Sequence, residues 1–279
     1  MSGNAPRAPF EAFFLPAAGG ERFCIFHPAS GAPLGSILYV HPFAEEMNKS
    51  RRMAALQARA FCARGYNVFQ IDLLGCGDSS GDFGDARWNA WHEDVVLATD
   101  WLAKHTEGPV HLWGLRLGAL LALDHSRQAG RSFAGLLLWQ PVISGAQFMT
   151  QFLRLRMGSE MLSGAAPGSG GTEQLRAQLA AGRALEIAGY ELAPQLASAI
   201  ERLDLAALPP KYAPAHWFEV NAEGKPSPGL RRAAQACIAA GAEVELHAVR
   251  GEPFWSSVEL CECPELVAAT SDTLTLTHA

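Results

Sequence analysis

The sequence lacks any stretch suited to crossing a bilayer: no run approaches the roughly 20 apolar residues that a spanning helix needs. Its opening, MSGNAPRAPFEAFF, also lacks the basic-then-apolar order of a secretory leader, so a cytoplasmic location is the default expectation. Cysteine is sparse and without a scaffold's rhythm. Cys24, Cys62, Cys76, Cys237, Cys261 and Cys263 are scattered, and reduced thiols are expected. Cys261-Glu262-Cys263 has no second pair at finger-like spacing, so no metal site is expected. Positive charge is not in surplus either. The 22 basic and 28 acidic residues give a net charge of −6, which argues against generic nucleic-acid binding but leaves room for a local basic pocket.

What is present is a regular alternation of buried runs and helical stripes. The 279 residues suit one α/β domain with an insertion. Phe10 to Pro16 and Arg22 to His27, separated by a Gly-containing turn, predict an antiparallel hairpin. SILYVHPF (Ser36 to Phe43), NVFQIDLLG (Asn67 to Gly75), Val110 to Trp113 and GLLLWQPV (Gly135 to Val142) are continuous apolar runs, the pattern of strands covered on both faces. Helices are predicted between them, from Glu45 to Arg64, through Trp88, Trp91, Val95, Ala98 and Leu102, and from Leu117 to about Gln128. Strand, helix, strand, helix implies a mostly parallel sheet with helices on both faces. After Val142 the composition turns to Ala, Leu, Gln and Arg at helical spacing, broken by the low-complexity GAAPGSGG (Gly164 to Gly171). That stretch is read as an inserted helical lid. The sheet resumes with AHWFEVN (Ala215 to Asn221), a helix from about Gly229 to Ala240, VELHAVRG (Val244 to Gly251) and a last helix after Pro264. The expected organisation is core at 1–143, lid at 144–208 and core again at 209–279.

The chemistry is concentrated in HLWGLRLGA, His111 to Ala119. A strand runs through Gly114-Leu-Arg-Leu-Gly118 into an unusually apolar helix, and the bland reading is a βα turn whose glycines permit a tight corner. Its place after the third parallel strand favours the nucleophile elbow of an α/β-hydrolase, normally G-x-S-x-G. Here the central residue is Arg116, which is always protonated, has no acceptor lone pair and cannot attack a carbonyl. His41-Pro42-Phe43 ends a strand where such folds build an oxyanion hole, and the backbone N–H groups of Phe43 and Leu117 are the expected donors. Glu45, Glu46, Lys49, Arg51 and Arg52 follow at once. Two acids at a helix start are ordinary, yet this segment borders the expected pocket mouth, and Glu45 or Glu46 could pair with Arg116. Gly75-Cys-Gly-Asp-Ser-Ser-Gly81 has the wrong spacing for a dinucleotide loop, and no cofactor is expected. The remaining triad members should follow later strands. Glu223 is the best acid candidate, and no histidine occurs near Gly251 to Trp255, so no Ser-His-Asp triad is identifiable.

HPFAEEMNKSRRM, DLLGCGDSSGDF, WGLRLGA, ALEIAGYEL and GEPFW together resemble the second of the two exosortase A system-associated hydrolases, over nearly the whole chain. These are bacterial α/β-hydrolase-fold proteins associated with exopolysaccharide synthesis and protein sorting. The resemblance implies that fold and a role near surface polysaccharide. Combined with Arg116, it leads to the expectation of a pseudo-hydrolase that binds an anionic small molecule, lipid-linked group or glycan through Arg116, with His41, Lys49, Arg51, Arg52 and Trp255 as further ligand contacts. Two alternatives stand beside it. One is a hydrolase of ester, thioester or peptide bonds in which Glu45 or Glu46 activates water and Arg116 stabilises the oxyanion. The other is a scaffold for a protein of the polysaccharide machinery.

Overall fold

The computed structural model describes residues 10–162 and 171–276. The opening hairpin is present as β1 (Glu11–Ala17) and β2 (Gly20–His27), paired antiparallel. Next come β3 (Gly35–Val40), α1 (Glu45–Ala63), β4 (Tyr66–Ile71), α2 (Trp88–His105), β5 (Val110–Leu115), α3 (Leu117–Gln128) and β6 (Gly135–Trp139). The segment after β6 carries α4 (Gly145–Leu162), α5 (Gly171–Ala180), a two-stranded hairpin of β7 (Leu185–Ile187) and β8 (Tyr190–Leu192), and α6 (Pro194–Glu201). The chain then returns to the sheet with β9 (Ala215–Asn221), α7 (Pro228–Ala239), β10 (Val244–Arg250) and α8 (Pro264–Leu276).

The 8-stranded sheet has the order β1-β2-β4-β3-β5-β6-β9-β10. Pairing is antiparallel at β1/β2 and β2/β4 and parallel from β4 to β10. Because successive strand residues point to opposite faces, the continuous apolar runs feed two cores at once. Ile37, Tyr39, Trp113, Leu115, Leu137, Trp139, Phe218 and Val220 join Met53, Phe61 and Leu266 beneath α1 and α8. Leu38, Val40, Leu112, Leu136, Leu138 and Trp217 join Val95, Leu121 and Ala233 beneath α2, α3 and α7. Each fully buried apolar side chain of this size contributes roughly 2 kcal/mol. Helices therefore lie on both faces, as the sequence pattern requires.

The segment between β6 and β9 departs from the all-helical expectation. Ala188 and Gly189 both take positive φ, 51° and 85°, the kind of turn whose twist matches a tight hairpin. Alternation then buries Leu185, Ile187 and Leu192. Of the expected low-complexity loop, residues 164–170 lie outside the described residues, and α5 begins at Gly171.

A buried ion pair fastens the loop after β4. Arg22 Nε donates to Asp94 Oδ1 at 2.7 Å, and the other carboxylate oxygen of Asp94 accepts the Leu74 N–H at 2.7 Å. The pair joins β2 to α2 and to the loop, and burial raises the Asp94 pKa despite Arg22 and the Leu74 N–H.

The corner between β5 and α3 depends on the absence of two side chains. A Cβ on Gly118 would lie 2.3 Å from the His41 carbonyl oxygen and 2.4 Å from that of Val40. A Cβ on Gly114 would lie 2.5 Å from the Ala119 Cα. Gly118→Ala is therefore expected to cost about 3 kcal/mol in urea unfolding, since rigid backbone must move. Gly182→Ala is the control: its φ is +82°, but nothing lies within 4 Å, so only the left-handed backbone penalty of about 1 kcal/mol applies. Equal losses in the two variants would contradict this packing.

Candidate functional site

Arg116 occupies that corner with φ 57° and ψ −117°, a conformation costly for a non-glycine residue, by about 1–3 kcal/mol. Neighbouring strands hold it there. Its N–H donates to the Trp139 carbonyl at 2.9 Å, and its own carbonyl accepts from Ala119 at 3.2 Å and Val142 at 3.4 Å. Leu117 then starts α3, and like any residue in a helix's first turn its N–H has no partner within the helix. Among the described residues no backbone acceptor takes the N–H of Leu117 or of Phe43. These are the two expected oxyanion donors.

The Arg116 side chain enters a cavity of about 520 Å³ lined by Phe43, Glu46, Lys49, Phe148, Phe152 and Trp255, among others. Its Nε donates to Glu46 Oε1 at 3.0 Å. The guanidinium carbon lies 5.7 Å from the centre of the Phe148 ring and 5.5 Å from that of Trp255, within cation–π range of both. Both partners of the ion pair are largely withdrawn from water, with side chains 16% and 19% exposed. Burial raises the Glu46 pKa, while Arg116 pulls it back through charge and hydrogen bond. The second carboxylate oxygen, Glu46 Oε2, is buried without a hydrogen-bond partner.

The other expected residues divide sharply. Glu45 lines the same cavity, but its Oε2 accepts from the Tyr190 hydroxyl and from Asn48 Nδ2, both at 3.1 Å. It thus docks the β7–β8 hairpin onto α1, and burial with this acceptor pushes the Tyr190 pKa up to about 12. Lys49 sits at the rim, where its Nζ donates to the Ser256 carbonyl at 3.3 Å. Trp255 stands in the loop after β10, where a triad would require its histidine. Phe43 anchors an aromatic cluster, with ring centres 5.1 Å from Phe83, 5.6 Å from Phe148 and 5.0 Å from Phe152.

The rest are not gathered there. His41 is buried, with Nδ1 against the Pro42 carbonyl at 2.8 Å and Nε2 accepting the Leu73 N–H at 3.1 Å. That pairing places the proton on Nδ1 of a neutral ring, and burial lowers its pKa accordingly. Arg51 pairs with Asp72 at 3.2 Å beside a separate cavity of about 280 Å³, and Arg52 pairs with Glu262 at the surface. Glu223 is exposed on the turn after β9, where its N–H donates to Asn221 Oδ1. Burial drives the Cys76 thiol pKa strongly upward, opposite to what a nucleophile needs.

Sequence reasoning missed Phe148, Gln151, Phe152, Leu155, Ala188 and Ser256 in the cavity wall. Phe148 and Phe152 are one helical turn apart on α4, a signal also shown by any core stripe.

Comparison with known proteins agrees with this architecture. The serine aminopeptidase S33 family profile matches residues 31–201. Among curated proteins, none matches the sequence. Among solved structures, Est1E from Butyrivibrio proteoclasticus with ferulic acid bound superposes with a TM-score of 0.68 at 15% identity, covering 96% of this chain and 99% of that one. A thermostable carboxyl esterase from Bacillus coagulans in complex with glycerol gives 0.66 at 13% identity, covering 97% and 99%. At such identities the likeness is one of fold.

The raised Glu46 pKa fixes a sign for pH dependence. The folded state holds this proton more tightly than the unfolded chain does, so the contribution of Glu46 to stability falls as pH rises from the ordinary value of 4.5 through the folded-state value, then levels off. In denaturation measured across this range, Glu46→Gln should therefore improve relative to the parent as pH rises. A Glu46→Gln variant that instead loses ground with rising pH would contradict the assigned direction.

Proposed function

The chain belongs to the serine aminopeptidase S33 family of α/β hydrolases, and on that premise we propose that it binds an anionic small molecule at Arg116 in place of serine hydrolysis. Arg116 takes the elbow position where such enzymes present the nucleophile, and Trp255 the neighbourhood that a catalytic histidine would have to reach. One observation carries the reading. The guanidinium is tethered through Nε alone, so Nη1 and Nη2 remain as a fork, without partners among the described residues, inside the 520 Å³ cavity. Such a fork matches a carboxylate or phosphate bidentately. The first turn of α3 adds unpaired N–H groups and a favourable dipole, and Lys49 adds charge at the rim. Glu46 does not cancel the site: it neutralises the buried charge and fixes the fork's direction, while the aromatic walls suit an apolar or sugar-ring portion of a ligand. The segment between β6 and β9 acts as the lid over that ligand. The sequence likeness to exosortase A system-associated hydrolases favours acidic sugars or lipid-linked pyrophosphates.

A second reading rests on Glu46 Oε2. A buried carboxylate with a raised pKa and a free oxygen can take a proton from water, with Arg116 steadying the developing negative charge. A scaffold role has less behind it. Among the side chains described in residues 145–156 and 171–205, Leu155 is the only large exposed apolar one, so these show no broad apolar face to mark a partner surface.

Titration calorimetry with glucuronate and with an isoprenyl pyrophosphate tests the main reading. Saturable binding should weaken at least about 10-fold in Arg116→Ala and in Arg116→Lys, which keeps charge but loses the fork. Binding unaffected by either change, or no binding of either probe, would overturn it. Turnover of activated esters or thioesters that disappears in Glu46→Gln would favour the second reading. Arg116→Ser should gain no esterase activity, because no histidine lines the cavity among the described residues; a burst of acyl-enzyme formation would contradict that.

A further inference from the structure

Away from the Arg116 cavity, the last two strands assemble a different chemistry. β9 and β10 run parallel, with Glu245 registered beside His216 and His247 beside Phe218. Registered neighbours point to the same face, and so do residues two apart on one strand. Glu245, His247 and His216 therefore project together from the face shared with Phe218. Their donor atoms converge. His216 Nδ1 lies 3.1 Å from His247 Nε2 and 3.4 Å from Glu245 Oε2, and His247 Nε2 lies 3.7 Å from Glu245 Oε1. All of these ligand atoms fall within 4.8 Å of one another.

From this convergence we propose that His216, Glu245 and His247 form a binding site for a divalent transition-metal ion of the zinc class, clipping the edge strand β10 to β9. The spacing matches the chemistry. An ion at the usual 2.0–2.1 Å from each ligand in a tetrahedral shell separates its donors by about 3.4 Å; the two ring nitrogens are 3.1 Å apart, and each has a different Glu245 oxygen at 3.4 or 3.7 Å, so a small turn of the carboxylate brings one oxygen to both. Two imidazoles with one carboxylate suit zinc, cobalt or nickel rather than calcium or magnesium. The ligands are also prepared for an ion. The His247 ring stacks on Phe218, with centres 4.6 Å apart and planes at 16°, which limits rotation of that ring. Burial lowers the pKa of both histidines, with Glu245 pulling each back. For both facing nitrogens to bind metal, the protons must reside on His216 Nε2 and His247 Nδ1. Glu245 is 60% exposed at the rim of the cluster, so the fourth coordination position opens to water.

This site is separate from the proposed ligand cavity. His216 and Glu245 lie near the beginnings of their strands, whereas Arg116 follows the end of a parallel strand in the same sheet. Because β10 ends the sheet order, the ion would hold an edge that has backbone pairing on one side only.

Tag-free protein, stripped of metal and titrated with cobalt(II), provides the test. A saturable visible spectrum at one ion per chain, displaced by zinc, is expected, together with a higher melting temperature in the presence of zinc. His247→Ala should weaken binding by more than about 100-fold. Glu245→Gln changes an exposed side chain and should weaken binding measurably in a folded protein, as judged by circular dichroism. Cys261→Ser should leave binding intact. Absence of a saturable cobalt spectrum in the parent protein would overturn the proposal. So would unchanged affinity in folded Glu245→Gln, or binding lost in Cys261→Ser but kept in His247→Ala.

Discussion

An ion pair 3.0 Å long, from Arg116 Nε to Glu46 Oε1, joins the two corners on which the candidate site is built. One is the turn from β5 into α3; the other is the start of α1, where Ala44 also takes a positive φ, 51°. Each corner carries a backbone N–H, of Leu117 or of Phe43, that no backbone acceptor takes among the described residues. Removing one partner of a buried pair typically costs about 3–5 kcal/mol, because the other charge stays behind unpaired. Such a pair is weak evidence for stability as its purpose, since apolar side chains of similar volume fill a cavity at lower desolvation cost. On the proposed reading, its role is to orient the guanidinium fork toward a ligand.

The frame around that pair is the ordinary one for an α/β sheet. Strands buried on both faces leave no freedom to the corner at their ends, so Arg116 inherits a strained conformation from its glycine neighbours and from the Trp139 carbonyl that holds its N–H. The aromatic walls follow from the same placement. Phe43 packs against Phe148 and Phe152 of α4, which ties the segment after β6 to the core. Glu45 and Tyr190 then tie its hairpin to α1. The helix that supplies Glu46 to the pocket thus also holds the β7–β8 hairpin through Glu45.

Much of the fold was legible because its signals are local. Continuous buried runs, the apolar α3 and the spacing of Gly114 and Gly118 each point to one structure. The charge cluster after His41 was less legible, and helix geometry explains why. At about 100° per residue, Lys49 lies roughly 60° from Glu46 around α1, whereas Arg51 and Arg52 lie about 120–140° away and face other partners. Leu185-Glu-Ile-Ala-Gly-Tyr-Glu-Leu192 alternates around an Ala-Gly turn, a hairpin signal overridden by its helical surroundings. The joining of His216 with Glu245 and His247 depends on strand register, which a sequence does not display. For Trp255 beside Arg116, a missing histidine was visible, but not what would stand in its place.

The central claim is that Arg116 holds an anion with its terminal nitrogens while Nε stays with Glu46. The most direct measurement is nitrogen-15 NMR of the Arg116 guanidinium, assigned with the Arg116→Lys variant, during titration with glucuronate and an isoprenyl pyrophosphate. The account predicts saturable shifts of Nη1 and Nη2 with little change at Nε. Saturable binding that leaves all three signals unmoved, or that shifts Nε alone as the Glu46 pair breaks, would contradict it.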